Sequence, residues 1–339
     1  MTTRWGIIGC GDVTEVKSGP GFQKAAGSAL VAVMRRDARL AEDYARRHGV
    51  ARWYADADAL IADPEVDAVY VATPPGAHER YALRAAAAGK PCYVEKPMAR
   101  HHPECRRMVE AFTAARVPLF VAYYRRAQAR FITAREAVAT RIGAPRAVRY
   151  RFARTAPAAT AALPWRLSAE QAGGGLFLDM GSHTLDILDF ILGPLEDVSG
   201  RASRRGAAPA VEDRVEMRFT AGGAAGSASW DFAAATSEDR IEFDGSAGRL
   251  SLSTFGNEPL ELTTSAGTEH LSRPQPTHVQ QPLIQTIVDE LHGRGACPST
   301  GTSALRTQVV MDQVLAGYYR GREDAFWERP ETWVAPPGK

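Results

Sequence analysis

The sequence predicts an α/β protein in two parts. Residues 1–122 are expected to form an N-terminal Rossmann-like, doubly wound parallel sheet, and residues 123–339 a C-terminal α+β domain with a large, mostly antiparallel, open-faced sheet. Two observations carry this. Up to about residue 122, short apolar runs at Trp5–Ile8, Leu30–Met34, Ala68–Ala72, Cys92–Val94 and Leu119–Ala122 read as strands. They alternate with segments of helical spacing at Ala38–His48, His78–Ala88 and Pro103–Ala115, and Gly49 and Gly89 stand as helix stops. Beyond Gly143 the texture changes. Arg146–Ala153, Val211–Thr220, Gly226–Phe232 and Arg240–Phe243 read as strands with Gly-containing turns, the pattern of antiparallel pairing. A helix is expected over Leu176–Leu192, ended by Gly193-Pro194, and two more over His278–His292 and Thr302–Tyr319. These last helices are candidates to pack back on the first domain. Ala156–Ala162, rich in Ala, Thr and Pro, reads as a surface loop.

A chain of 339 residues has room for two well-filled cores. Its 45% hydrophobic and 24% charged content place it among globular proteins rather than disordered ones. A formal net charge of +2 and the lack of a basic stripe argue against nucleic acid, so a small molecule is the expected partner. Cys10, Cys92, Cys105 and Cys297 are far apart and form no CxxC pair, which suggests free thiols in a reducing cytoplasm and no zinc site. The first residues lead directly into Arg4-Trp5-Gly6-Ile7-Ile8-Gly9 without the pattern of an export signal, and no run approaches roughly 18 apolar residues, so neither export nor a membrane span is expected. His101, His102 and Cys105 lack a fourth ligand at metal spacing and are read as surface residues.

Gly9-Cys10-Gly11-Asp12-Val13-Thr14 directly follows the first strand, where a tight turn brings backbone N–H groups to a pyrophosphate. Gly9 permits the turn and Gly11 the close approach. The third glycine of the usual fingerprint is replaced by Thr14, so local helix packing should be looser or differently arranged. The second strand ends in Arg35-Arg36, where an NAD site usually carries an acid for the ribose hydroxyls. A planar, permanently charged guanidinium suits a 2'-phosphate, so NADP(H) is favoured. Asp37 keeps NAD(H) possible if the register is displaced.

Two more motifs follow predicted strands: Val71-Ala72-Thr73-Pro74-Pro75-Gly76-Ala77-His78 and Val94-Glu95-Lys96-Pro97. Here the chain resembles the glucose-fructose oxidoreductase, inositol dehydrogenase and rhizopine-catabolism family of NAD(P)-dependent oxidoreductases, over essentially its whole length. The resemblance implies a hydride transfer between nicotinamide and a carbonyl or hydroxyl carbon of a sugar, polyol or related compound. It places Lys96 at nicotinamide and substrate, where an ammonium stabilises the charge growing on a carbonyl oxygen. It makes Thr73, Pro74, Pro75, His78, Glu95 and Pro97 cofactor-side positions.

Gly173-Gly174-Gly175-Leu176-Phe177-Leu178-Asp179-Met180-Gly181-Ser182-His183 carries the other half of the chemistry. Asp179 and His183 are four apart on an expected helix and so share a face, and the glycines admit close approach by a ligand or another chain segment. The pair resembles the family's aspartate and histidine, with the histidine exchanging the substrate hydroxyl proton and the aspartate orienting substrate or imidazole. Asp186 continues the face as a supporting group. Tyr124 and Arg125, after the last strand of the first half, are expected to line the site, and Trp165-Arg166 is similar to a pair bordering cofactor or substrate in the family. The resemblance also implies a homodimer or homotetramer. Two alternatives remain: a non-catalytic sensor that binds cofactor or sugar on the same fold, and a dihydrodiol-type dehydrogenase.

Overall fold

Two sheets organise the computed structural model, which describes residues 1–155, 165–205, 211–321 and 326. The expected Ala156–Ala162 loop lies outside the described residues. The chain divides into two compact units, Met1–Gln128 with Pro276–Leu305 and Ala129–Gln275 with Arg306–Lys339.

The first unit runs β1 (Thr3–Ile8), α1 (Asp12–Val16), α2 (Gly19–Lys24), β2 (Ser28–Met34), α3 (Ala38–His48), β3 (Arg52–Tyr54), α4 (Ala57–Ala62), β4 (Ala68–Val71), α5 (His78–Ala87), β5 (Cys92–Val94), α6 (His102–Ala115) and β6 (Leu119–Val121). Its six strands lie in the order β3-β2-β1-β4-β5-β6, all parallel. Buried runs such as Ala68–Val71 and Cys92–Val94 are what parallel strands covered on both faces require. Val69, Val71, Tyr81, Met108 and Phe112 share one core. Trp5, Phe22, Tyr70 and Tyr93 share the other with Leu283, Ile284 and Ile287 from the helix Gln281–Leu291.

Helix ends follow local chemistry. Asp37 Oδ1 accepts from the Arg39 and Leu40 amides at 3.0 and 3.4 Å, and Gly49 closes α3 at φ +66°, behind the basic last turn Arg46-Arg47-His48. His101 Nδ1 accepts from the Glu104 amide at the start of α6. His101 and Cys105 are therefore buried, a correction to their reading as surface residues, because a polar cap and an apolar thiol close the helix against the sheet. β3, α1, α2 and α4 were too short to show a period of their own.

The second unit contains α7 (Ala129–Thr140), β7 (Pro145–Ala153), α8 (Ala169–Ala172), α9 (Ser182–Leu192), β8 (Glu196–Ser203), β9 (Arg214–Ala221), β10 (Ala224–Asp231), β11 (Glu238–Gly245), β12 (Gly248–Leu252), β13 (Leu260–Thr264) and β14 (Gly267–Leu271). The helix Gln281–Leu291 is α10, and α11 (Gly301–Tyr319) follows it. Strand order is β14-β13-β12-β11-β7-β10-β9-β8, antiparallel except where β7 lies parallel to β10. Alternation buries one face: Val148, Tyr150, Phe152, Val215, Met217, Phe219, Trp230, Ile241 and Phe243 meet Phe131, Leu185, Leu188 and Val314. Arg149, Arg151, Arg201, Glu216 and Arg218 line a depression of about 540 Å³ on the opposite face.

Edge strands β8 and β14 were missed because they are largely exposed and carry no apolar alternation. All four cysteines are buried free thiols. Among the described residues no helix is long and apolar enough to cross a membrane.

Candidate active site

In the six-stranded sheet β1 lies between β2 and β4, so the chain reverses its direction of travel across the sheet at this point. The crevice beyond the carboxyl ends of these strands is where an open parallel sheet binds ligands. Gly9, Arg35, Thr73, Lys96 and Tyr124 all follow such ends and therefore come to one edge of the sheet.

Gly9 turns the chain at φ +88°, and a Cβ there would stand 2.8 Å from Thr73 Cγ2 and 3.1 Å from Thr73 N. Only glycine fits both demands. Beside Gly11 a Cβ would meet nothing nearer than Gly9 O at 3.9 Å, so the flank is open to a phosphate. Thr14 explains the missing third glycine. It is buried, its hydroxyl accepts from the Gly11 amide at 3.0 Å and donates to Gly11 O at 2.8 Å, and Tyr44 donates to its carbonyl at 2.9 Å. The close approach passes instead to Gly19, where a Cβ would fall 2.1 Å from Thr14 O. Asp12 is exposed and Val13 half-buried on the first turn of α1. Arg35 and Arg36 are exposed, and Arg35 Nη1 donates to Cys10 O at 3.5 Å, which lays its guanidinium along the turn.

The Lys96 loop is held from beneath. Glu95 is buried; its Oε1 accepts from Tyr70 OH at 2.5 Å and Gln280 Nε2 at 2.6 Å, and its Oε2 from the Lys96 amide at 3.1 Å. Tyr93 donates to Gln280 Oε1 at 2.8 Å. Burial, with Glu95 alongside, pushes both tyrosine hydroxyls well above their usual range and keeps them neutral donors. The Lys96-Pro97 bond is cis. His78 is wholly buried, with Nε2 2.6 Å from Thr73 O and Nδ1 3.0 and 3.2 Å from the Pro97 and Met98 carbonyls. The ring thus lies between the loop after β4 and the loop after β5 within the protein, where burial lowers its pKa. Pro75 is buried at the base of the same structure and Pro74 half-buried. Tyr124 and Arg125 are buried on a 3-10 turn, the guanidinium 5.1 Å from the Tyr124 ring centroid.

In the second unit the expected helix over Leu176–Leu192 is present, but its first turn is not α-helical. Phe177–Gly181 is a π-helical turn, and α9 begins at Ser182. A Cβ on Gly181 would lie 2.4 Å from Phe177 Cδ2, and Phe177 packs edge-on against Trp230 at 4.8 Å, so a large ring is seated on a glycine within the turn. Asp179 sits on this turn and His183 on the first turn of α9, so the simple α-helical i, i+4 geometry does not describe them. Arg166 Nε stands 3.4 Å from Asp179 Oδ2 and its guanidinium 4.4 Å from the Trp165 ring. His183 is buried, with Phe255 edge-on at 6.2 Å, and Asp186 lies in the interior of α9. The glycine run proves to admit a chain segment: Gly175 N–H donates to both oxygens of buried Glu212 at 2.9 Å.

Residues 3–123 match the family described as oxidoreductase family, NAD-binding Rossmann fold, and residues 131–251 match the Gfo/Idh/MocA C-terminal domain. The chain belongs to the Gfo/Idh/MocA family. As a member it is an NAD(P)-dependent oxidoreductase. It is 35% identical to Oxidoreductase P35 of Formosa agariphila over 91% of this chain and 97% of that protein. It is 31% identical to a 1,5-anhydro-D-fructose reductase of Ensifer adhaerens, over 88% and 91% of the two chains. An Agrobacterium radiobacter oxidoreductase, solved with NAD+, L-tartaric acid and magnesium, superposes at a TM-score of 0.82 with 26% identity, covering 94% of this chain and 97% of that one.

Gln280, which donates to the Glu95 carboxylate, and Glu212, which accepts from Gly175, are buried partners that the motifs did not reveal. Gln280 is 185 positions from Glu95, and no local pattern marks such a pairing. Among the described residues there is no cluster of His, Cys, Asp and Glu fit to hold a metal ion.

Proposed function

We propose that this Gfo/Idh/MocA protein transfers a hydride between NADP(H) and a carbonyl or hydroxyl carbon of a sugar or polyol. The observation that carries the reading is the Lys96 loop: a buried carboxylate with three donors fixes the backbone of one half-buried lysine just past the carboxyl end of β5, one strand from the sheet's switch point. The dinucleotide supplies the hydride in one direction and accepts it in the other. The open flank of Gly11 and the Gly9 turn fit its pyrophosphate. Lys96 stabilises the developing alkoxide. His183 exchanges the hydroxyl proton, and Asp179, held by Arg166, orients the substrate. Thr73, Pro74, Pro75, Tyr124, Arg125 and Trp165 border cofactor or substrate. His78, Glu95 and Pro97 act by shaping the loops.

Arg35 supports NADP(H), since it lies along the phosphate turn while Asp37 is engaged in capping α3. Arg35→Asp is expected to raise the NADPH dissociation constant about tenfold or more and narrow the gap to NADH, because repulsion replaces a charged hydrogen bond. Fluorescence titrations that coincide before and after the change remove Arg35 from phosphate recognition.

The named substrate of the Ensifer relative makes 1,5-anhydro-D-fructose the first compound to assay, followed by other ketoses, aldoses and polyols with either cofactor. Turnover of none of these, with cofactor bound, overturns the substrate class and favours a sensor. A homodimer or homotetramer, checked by light scattering, would cover the open face of the eight-stranded sheet, and the buried thiols suit a cytoplasmic setting.

A further inference from the structure

Glu212 sits just before β9, outside every motif that defines the proposed chemistry, yet it is 2% exposed. A carboxylate that deep must be matched by donors. The Gly175 amide donates to both of its oxygens at 2.9 Å, and Tyr319 OH donates to Oε2 at 2.6 Å from the last residue of α11. Two glycines make room for it. A Cβ on Gly175 would lie 2.5 Å from the Glu212 carbonyl oxygen, and one on Gly174 would lie 2.4 Å from Leu178 Cδ1 and 3.2 Å from the Tyr319 hydroxyl. Gly175 is separated from the π-helical turn Phe177–Gly181 by Leu176 alone, and Asp179 stands at the middle of that turn.

We infer that Glu212 is a positioning residue: it anchors the amide before the π-helical turn, couples it through Tyr319 to the end of α11, and so sets the orientation of Asp179. π-helical turns are rare and occur mostly as single-turn bulges within α-helices, frequently at functional sites. Phe177 on Gly181 holds its far end, and Glu212 on Gly175 holds its near end. Asp179 is thereby presented to Arg166 from a turn fixed on both sides. The inference rests on the role proposed above for Asp179.

The test uses the full-length chain with Glu212→Gln, Tyr319→Phe, Asp179→Asn and the double change at Glu212 and Asp179. Hydrogen exchange read by mass spectrometry is expected to quicken about tenfold in peptides spanning Gly173–His183 in Glu212→Gln, and less in Tyr319→Phe, with the six-stranded sheet unchanged. Should Glu212→Gln fail to fold, Tyr319→Phe carries the same comparison. In NADPH oxidation with 1,5-anhydro-D-fructose, Glu212→Gln should alter the same parameter, kcat or KM, as Asp179→Asn, and the double change should add little to the larger single loss. A merely structural role gives a general loss that adds to that of Asp179→Asn. Unchanged exchange over Gly173–His183, or additive losses, overturns the inference. If Asp179→Asn is active as wild type, the reading of Asp179 fails and the inference fails with it; if Asp179→Asn is impaired and Glu212→Gln is not, the inference alone fails.

Discussion

Replacement of His183 by Asn is expected to lower turnover roughly 10²- to 10⁴-fold, the usual contribution of a positioned general acid or base. His183 lies on the first turn of α9, buried against the edge of Phe255, so a smaller amide leaves the packing near its original shape. The nucleotide-binding unit is built from other residues, and NADPH affinity in a fluorescence titration should remain at the wild-type value. An imidazole titrates near neutrality, where one side chain can both give and take a proton, and asparagine cannot. Wild-type turnover in His183→Asn, on a substrate that the wild-type protein reduces, removes the histidine from proton transfer.

Lys96→Met should cost about 10²- to 10³-fold in kcat, the range found when one preorganised donor to an oxyanion is removed. Methionine keeps much of the stem and deletes the charge. The loop itself should survive, because Glu95 binds the backbone amide at position 96 and not the side chain, and Tyr70 and Gln280 remain on the carboxylate. Lys96→Arg is expected to rescue little, since a planar fork does not place charge where a compact ammonium does. A loss confined to KM, with kcat intact, would assign Lys96 to substrate binding alone.

Much of this arrangement is legible in the residues because the relevant chemistry is local. The Gly9-Gly11 turn, the stop at Gly49 and the strand that precedes Lys96 each depend on a few adjacent positions, and the structure places them as local rules require; Asp37, read as a possible ribose acid, proves to cap α3. Helix α3 was readable to the residue for that reason. Features that depend on distant partners were hidden. Thr14 replaces a glycine without loosening the turn because its hydroxyl closes on Gly11 and the close approach moves to Gly19. The glycine run at 173–175 announced close approach but not its visitor, since Glu212 is 37 positions from Gly175 and Tyr319 is 107 from Glu212. In the π-helical turn one phenylalanine rests on one glycine and on Trp230, a contact that no periodicity records. Exposed β8 and β14 gave no alternation to read.

The most direct test of the central claim follows the hydride itself. NADPH carrying deuterium at the reactive nicotinamide position, prepared as each epimer in turn, is incubated with the protein and 1,5-anhydro-D-fructose or the best carbonyl compound of the panel, and the product is examined by mass spectrometry and NMR. Direct transfer places deuterium from one epimer, and not the other, on the new carbinol carbon. Product formed without label from either epimer, or NADPH left unconsumed with every carbonyl compound, contradicts the account.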